Sequence, residues 1–458
     1  MTFAGRLPLV TLVVTCAAVL VHLVFGWEPA LLAGRIGFVG MCLAAIPRYT
    51  LREWALSLLA IGCSVALLLQ GGDATKLLYA LDLAVFFGCF IALLTLLKEA
   101  AECSDSVLQV GRFLTTQPSG RRYYATAFGG HALAVFLNFA AVSLMAPLIQ
   151  KGAQDNSGRI DPDLERRQIS ALLRGFSWFV IWAPTSLAQA VLLTLFPGVD
   201  WPYLVALGLG TAILMTLLGR ALDRYEWRHA VQTGRSESPP VPRRAFAVLA
   251  FVCVSLIGTT VVIEALAGYT IAQSLMLVAP GVTVIWFVLQ GAPFETDSPL
   301  QRFAAFGAVL DEAAPSLLRT AVVLGLSGYI GRTAAYVLPT AEIAQWLELH
   351  SVSPWVFLAA LPILVTLGGQ IALSPILLVV FFGELVHQLP ELPADPTLIV
   401  FSLSIGWALG MSASPNATAT LLVSAICKIP PTTLTWRWNS RYALLCYAAF
   451  LVMLTVLV

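Results

Sequence analysis

The sequence predicts an all-α polytopic membrane protein made of two inverted repeats, each with a re-entrant hairpin and a broken transmembrane helix. Three observations carry this. First, 59% of the 458 residues are hydrophobic and 11% charged, and the mean hydropathy is +0.85. Apolar runs of about 20 residues, the length that crosses a bilayer, recur from end to end. Second, Lys and Arg are spread unevenly among the loops, which orients the spans through the positive-inside rule. Third, some apolar stretches are interrupted by Pro, Gly, Asn, Ser and Thr. In hydrocarbon such breaks are tolerated only when buried in protein or facing a polar cavity.

The spans begin with Leu7 to Phe25, which lacks a small-residue cleavage site and reads as retained rather than as a removed signal. Pro29 to Ile46, Trp54 to Leu69 and Leu77 to Leu97 follow. The basic turn Arg48 to Arg52 places its side in the cytoplasm, so the fourth span ends inside. Lys98 to Gln117 carries Val107, Val110, Phe113 and Leu114 in helical rhythm, as an amphipathic surface helix would. Tyr124 to Ile149 has basic loops on both sides, so it reads as a hairpin opening inside, with Gly129, Gly130, His131, Asn138, Ser143 and Pro147 to bend it. Ile169 to Phe196 is a span broken at Trp182, Pro184, Thr185, Ser186 and Gln189. Leu204 to Leu222 returns to an Arg-rich, Ser/Pro-rich linker.

The second half opens with Ala245 to Leu266 and Ile271 to Leu289. Pro299 to Ala314 reads as a second surface helix and Ser316 to Leu338 as the next span. Val352 to Phe382 lacks Lys and Arg on both flanks and is acidic there, so it reads as a hairpin opening outside, with Gly368, Gly369, Gln370, Ser374 and Pro375 at its centre. Phe401 to Cys427 is broken around Gly410, Ser412, Ser414, Pro415, Asn416 and Thr418, and Arg441 to Val458 closes the chain. The expected units are N-terminal scaffold helices over 1–97, a first repeat over 98–222, a cytoplasmic linker over 223–244, further scaffold helices over 245–297 and a second repeat over 298–458. Opposed hairpins in the two halves are the arrangement of inverted-repeat secondary transporters.

In this layout the chain resembles the ion transporter superfamily that includes arsenite permeases, NhaD-type sodium/proton antiporters and divalent-anion/sodium symporters. The resemblance runs from about Lys98 to Tyr225 and from about Leu300 to Val458. It is most local in His131 to Ile149 (HALAVFLNFAAVSLMAPLI), similar to the family's hairpin, and in Met411 to Ala425, similar to its broken span. The chain departs from the family in having no Ser-Asn-Thr triplet in either hairpin and Trp182-Ala-Pro184 in place of the glycine-rich turns. What the resemblance implies is an elevator mechanism, in which hairpins and broken helices carry the substrate against a static scaffold, and often a homodimer.

The residues themselves point to a small-solute site. Asn138, Pro184, Thr185, Ser186, Gln370, Ser374, Ser412, Ser414, Asn416 and Thr418 would line it between the hairpins. Helix N-termini aimed at the midplane and the scarcity of membrane carboxylates favour an anionic or polar solute. Asn138 offers a ligand contact or an interhelical hydrogen bond. His131 offers a proton relay or a satisfied structural histidine. Asp82 offers a proton or cation site or half of a structural pair. Arg332, alone in an apolar span, would bind an anion, snorkel outward or pair with a carboxylate such as Glu342. Arg174 would lie in the membrane interface.

The expected function is therefore secondary transport of such a solute across a bacterial inner membrane, coupled to Na+ or H+, with no cofactor. A membrane subunit of a multi-component permease or exporter is an alternative, and an intramembrane enzyme with a nonstandard site at His131 another. The net charge of +1 carries no information on partners, and no basic, aromatic-interleaved cluster suggests nucleic acid. The eight cysteines lie mostly in apolar segments without a C-x-x-C pair, as small core residues do. No zinc H-E-x-x-H pair, phosphate-binding loop or G-x-S-x-G elbow is present.

Overall fold

The computed structural model describes residues 3–154, 157–228, 239–290, 299–349, 351–371 and 373–458. Among these the chain is helical, with one isolated bridge between Gln154 and Ile160. The centre of the expected linker, residues 229–238, lies outside the described residues, as do the side chains of Leu300 and Phe303. Ten helical stretches among the described residues are long and apolar enough to cross a bilayer, which makes the chain an all-α polytopic membrane protein.

One group of helices forms a scaffold. It comprises α1 (Phe3–Phe25), α2 (Glu28–Ala45), α3 (Leu51–Leu69), α4 (Ala74–Glu102), α11 (Arg243–Ala267), α12 (Ile271–Gln290) and α13 (Pro299–Val337). Local chemistry fixes the starts: Thr50 and Glu53 form a capping box at α3, and the Asp73 carboxylate accepts from the Thr75 N–H at α4. α4 and α13 cross in the largest helix pair of the molecule, with α3 against α13 and α12 against α4. Glycine permits that approach, since a Cβ at Gly325 would strike Phe38 and the Ala84 carbonyl, and one at Gly328 would strike Phe87. The outer faces stay apolar, with Leu58, Leu69, Phe251, Val254 and Leu266 exposed, as a hydrocarbon-facing surface requires.

The remaining helices form two successions of the same kind. The first is α5 (Asp105–Thr115), a hairpin of α6 (Ser119–Leu137) and α7 (Ala140–Gly152), the broken span α8 (Pro162–Phe176) and α9 (Leu187–Leu195), and the closing α10 (Trp201–Glu226). The second is α14 (Thr340–Leu349), a hairpin of α15 (Pro354–Gln370) and α16 (Pro375–His387), the broken span α17 (Pro396–Ala413) and α18 (Thr418–Cys427), and the closing α19 (Ser440–Leu457). Both broken spans start on an Asp-Pro step. Asp161 and Asp395 cap with their carboxylates and Pro162 and Pro396 take the first helical position, where no N–H is needed. The window over Pro396–Cys427 is 94% buried, against 17% to 28% for α1, α2 and α3. The interrupted backbone is thus enclosed in protein, as it must be in a bilayer.

Several expectations are corrected. The surface helix over Pro299 to Ala314, expected to open the second repeat, and the span over Ser316 to Leu338 are one continuous helix, α13, that runs through Pro315 and packs on α3 and α4, so it is grouped with the scaffold helices. α14 occupies the acidic flank before the second hairpin, where no helix was expected. Lys98 belongs to α4, and the amphipathic helix starts at Asp105, burying Val107, Val110 and Leu114 as it packs on α6, α7 and α11. Arg174 is buried rather than interfacial. Its guanidinium donates to Asn439 Oδ1 at 2.8 Å and Trp438 O at 3.1 Å and lies over the Tyr442 ring. Arg332 neither snorkels nor meets Glu342; it pairs with Glu384 of α16 and donates to Tyr79 O at 3.1 Å.

Candidate functional site

The two breaks are built by the same rule. A proline cannot donate to the carbonyl four residues earlier, so Pro184 orphans Val180 O and Pro415 orphans Met411 O. In each case a side chain five residues past the proline takes the vacant donor's place. Gln189 Nε2 donates to Val180 O at 2.9 Å, and Thr420 Oγ1 donates to Met411 O at 3.2 Å. The residue just after each proline reaches across to its hairpin. Thr185 Oγ1 donates to Val135 O at 2.5 Å, and Asn416 Nδ2 donates to Gly369 O at 3.2 Å and Gln370 O at 3.1 Å. Ser414 adds a donation to Gly369 O at 2.6 Å. Gln189 also bonds Ser404 of α17 at 2.9 Å, tying one broken span to the other.

The hairpin tips differ. The first turns at Asn138, whose φ of +50° and ψ of −129° match the opening position of a type II′ turn, one that glycine fills at least cost. Asn138 Oδ1 is buried and has no hydrogen-bond partner among the described residues. A buried amide oxygen without a partner is costly unless something else supplies a donor. The second tip is satisfied from within: Gln370 donates to Thr366 O and Ala413 O and accepts from Trp436 Nε1 at 3.0 Å.

Between the first tip, the two breaks and the scaffold lies a cavity of about 320 Å³. Of the residues expected from sequence, it is lined by Asn138, Thr185, Ser186, Ser374 and Thr418. Pro184, Gln370, Ser412, Ser414 and Asn416 lie outside the lining. Ser412 donates to Leu409 O, and the others form the breaks and stitches just described. Sequence reading missed the scaffold wall, which includes Thr95 and Lys98 of α4 and Ser316, Arg319 and Thr320 of α13, together with Arg52 and Glu53 at the start of α3. The available signal was Arg319, a charge in an otherwise apolar run. Three cations and one carboxylate thus face the cavity. Lys98 is shared with Glu99 at 3.0 Å and Glu102 at 3.6 Å, and Arg319 reaches Glu53 at 3.5 Å while staying 56% exposed.

The two sequence-derived coupling residues are both occupied. Asp82 holds Arg35 through two contacts of 2.6 and 2.8 Å, a structural pair within the scaffold. His131 Nε2 accepts from Trp182 Nε1 at 3.0 Å, which leaves Nδ1 to carry the hydrogen toward Gly175 O at 3.1 Å. That is a satisfied neutral imidazole bracing the first break, and it does not face the cavity. Among the described residues no three His, Cys, Asp or Glu side chains gather into a metal site.

No protein-family model and no curated protein matches the chain. Solved structures do match in fold. The YdaH transporter of Alcanivorax borkumensis is similar with a TM-score of 0.55 at 17% identity, over 81% of this chain and 85% of that one. MtrF of Neisseria gonorrhoeae, described among a class of antimetabolite efflux pumps, is similar with a TM-score of 0.57 at 13% identity, over 87% of this chain and 92% of that one. The chain therefore has the fold of polytopic membrane transporters.

Proposed function

We propose that this protein is a secondary transporter, not an enzyme, moving a small anionic or polar solute across a bacterial inner membrane through the cavity bounded by Asn138, the two breaks and the α4–α13 wall. The observation that carries the reading is the convergence of these parts: an unpartnered buried amide oxygen and two opposed helix breaks on one side, and a rim of Arg52, Lys98 and Arg319 on the other. Breaks at the midplane of paired repeats are where such folds bind solute. The matching construction of the breaks supports an inverted repeat, and with it the resemblance to the ion transporter superfamily. The basic loops that orient the chain put Arg52 and Lys98 at the cytoplasmic side, so the arrangement is inward-facing. In the other state the hairpins and broken spans, moving together, present the cavity outward. MtrF's role makes export the direction to examine first.

The test is flux in proteoliposomes of the purified protein, using a panel of radiolabelled monocarboxylates, dicarboxylates, oxyanions and neutral polar solutes with ion and pH gradients of either sign. Transport of at least one anion is expected, weakened in KM by Arg319→Gln. Failure to move any member of the panel, anionic or neutral polar, with a folded and correctly inserted protein would sink the proposal.

A further inference from the structure

With Asp82 and His131 both engaged, the coupling group has to be sought elsewhere, and one buried ion pair stands out by where it lies. Arg35–Asp82 joins α2 to α4 and Glu53–Arg319 joins α3 to α13, all within the scaffold. Arg167–Asp223 joins α8 to α10. The pair Arg332–Glu384 instead joins scaffold helix α13 to α16, the second arm of the outer hairpin. Glu384 is 2% exposed. The helices meet at close quarters there, because a Cβ at Gly331 would strike Val380. The pair lies far along α13 from Arg319, beside Tyr79 at the start of α4, so it closes the side opposite the basic rim.

We propose that Glu384 is the proton-binding site that couples this transporter, exchanging Arg332 for a proton when hairpin α15–α16 leaves the scaffold. The inference rests on the moving-hairpin reading above. In the present arrangement carboxylate and guanidinium neutralise each other. When the hairpin slides away Arg332 stays with α13, still held by Tyr79 O, and the buried carboxylate, carried off on α16, loses its guanidinium partner. Stranding a buried charge is strongly unfavourable, and the neutral acid avoids it by taking up one proton from the outer aqueous side. On return Arg332 re-forms the pair and displaces the proton to the cytoplasmic side, so each cycle carries one proton inward. One proton is bound per outward transition and one released per inward transition, with no other group oxidised, reduced or transferred.

The neighbours of Glu384 fit this role. α13 supplies Arg332 and Tyr336, α4 supplies Tyr79 and Lys76, the latter over the Tyr336 ring at 5.3 Å, and α16 itself supplies His387. His387 is packed edge-on to Phe196. α9, α15 and α17, the other helices against α16, bring no titratable side chain. Arg332 is thus the one guanidinium facing the carboxylate among these groups, and its departure leaves no second arginine in reserve.

The experiment needs no identified solute. Spin labels are placed at Ala74→Cys on the scaffold and Glu391→Cys behind the hairpin in an otherwise cysteine-free full-length protein. Distance distributions are recorded in nanodiscs between pH 5 and 9. Both positions are exposed. Because the separated state binds one more proton, lowering the pH favours it, and its ratio to the closed state should change by up to about tenfold per pH unit. Glu384→Gln should abolish that dependence and hold the separated population at its low-pH level at every pH. The double variant R332Q/E384Q, which buries no charge and so guards against misfolding, should also be pH-independent. A wild-type pH response that survives Glu384→Gln or the double variant overturns the assignment of Glu384 while leaving the moving hairpin intact. A single, pH-invariant distance in every protein overturns the moving hairpin and the coupling site together.

Discussion

The two hairpin–break units share a rule and differ in what they leave over. In the second, Ser414 and Asn416 deliver three hydrogen bonds to the carbonyls of Gly369 and Gln370, and Gln370 and Trp436 close the rest. In the first, Thr185 donates to Val135 O and Trp182 to His131, while Asn138 at the tip keeps a buried oxygen without a partner among the described residues. The second hairpin packs on α13 through α16, whereas the first meets the scaffold along α4, beside the cavity that both hairpins line. Two copies of one device have thus been put to different use. The second tip is closed by its own polar groups, and the first tip leaves the Asn138 oxygen beside the cavity without a partner among the described residues.

The largest effect expected from breaking this asymmetry is at Asn138. Asn138→Gly removes the amide but suits the backbone, whose positive φ costs a non-glycine residue about 1 kcal/mol or more. Thermal stability in detergent should therefore hold or rise while transport falls by at least about tenfold, the order expected for one lost polar contact to substrate. A variant that is less stable but transports normally would make Asn138 a turn residue only.

Next in size is the stitching itself. Asn416→Ala removes two donations, leaving Gly369 O with Ser414 alone and Gln370 O without its side-chain donor, for a loss of about 2 kcal/mol. Thr185→Val removes one donation with its volume kept, for a loss of about 1 kcal/mol. If the units differ as described, Asn416→Ala is the more destabilising and Thr185→Val the more damaging to transport, because Thr185 also lines the cavity. Unfolding midpoints and initial rates measured on the same preparations separate the two. Equal ratios of stability loss to transport loss would erase the distinction between the units.

Much of this was legible in the chain. Pro184 and Pro415 mark both breaks, and the placement of Lys and Arg marks both hairpins, because proline chemistry and the positive-inside bias act locally. Asn138 was legible as a bend residue, since Asn tolerates positive φ. The repeated Asp-Pro starts and the Pro-plus-five donors Gln189 and Thr420 were readable in principle, but only once the two prolines are aligned. The rest depends on contacts distant in sequence. Arg174 is held by Asn439 and Arg332 by Glu384, and nothing near either arginine announces its partner. Pro315 misled in the opposite direction: a helix buttressed along α3 and α4 runs through a proline that an isolated helix would not carry without a break.

The smallest effect, and the one that guards the coupling assignment, is at Trp182. Its indole N–H satisfies His131 Nε2, so Trp182→Phe should cost about 1 kcal/mol of stability, the net worth of one hydrogen bond. The ring remains available to stack on His131, as Trp182 does at 5.8 Å. Since His131 is braced rather than exchanging protons, the transport rate should stay within about twofold, a difference of under half a kcal/mol in barrier, and the pH profile should not move. A profile displaced by Trp182→Phe would mean that freeing Nε2 changes the protonation chemistry of transport. His131 would then return as the relay its position in the first hairpin suggested, and Glu384 would become a latch without a proton to carry.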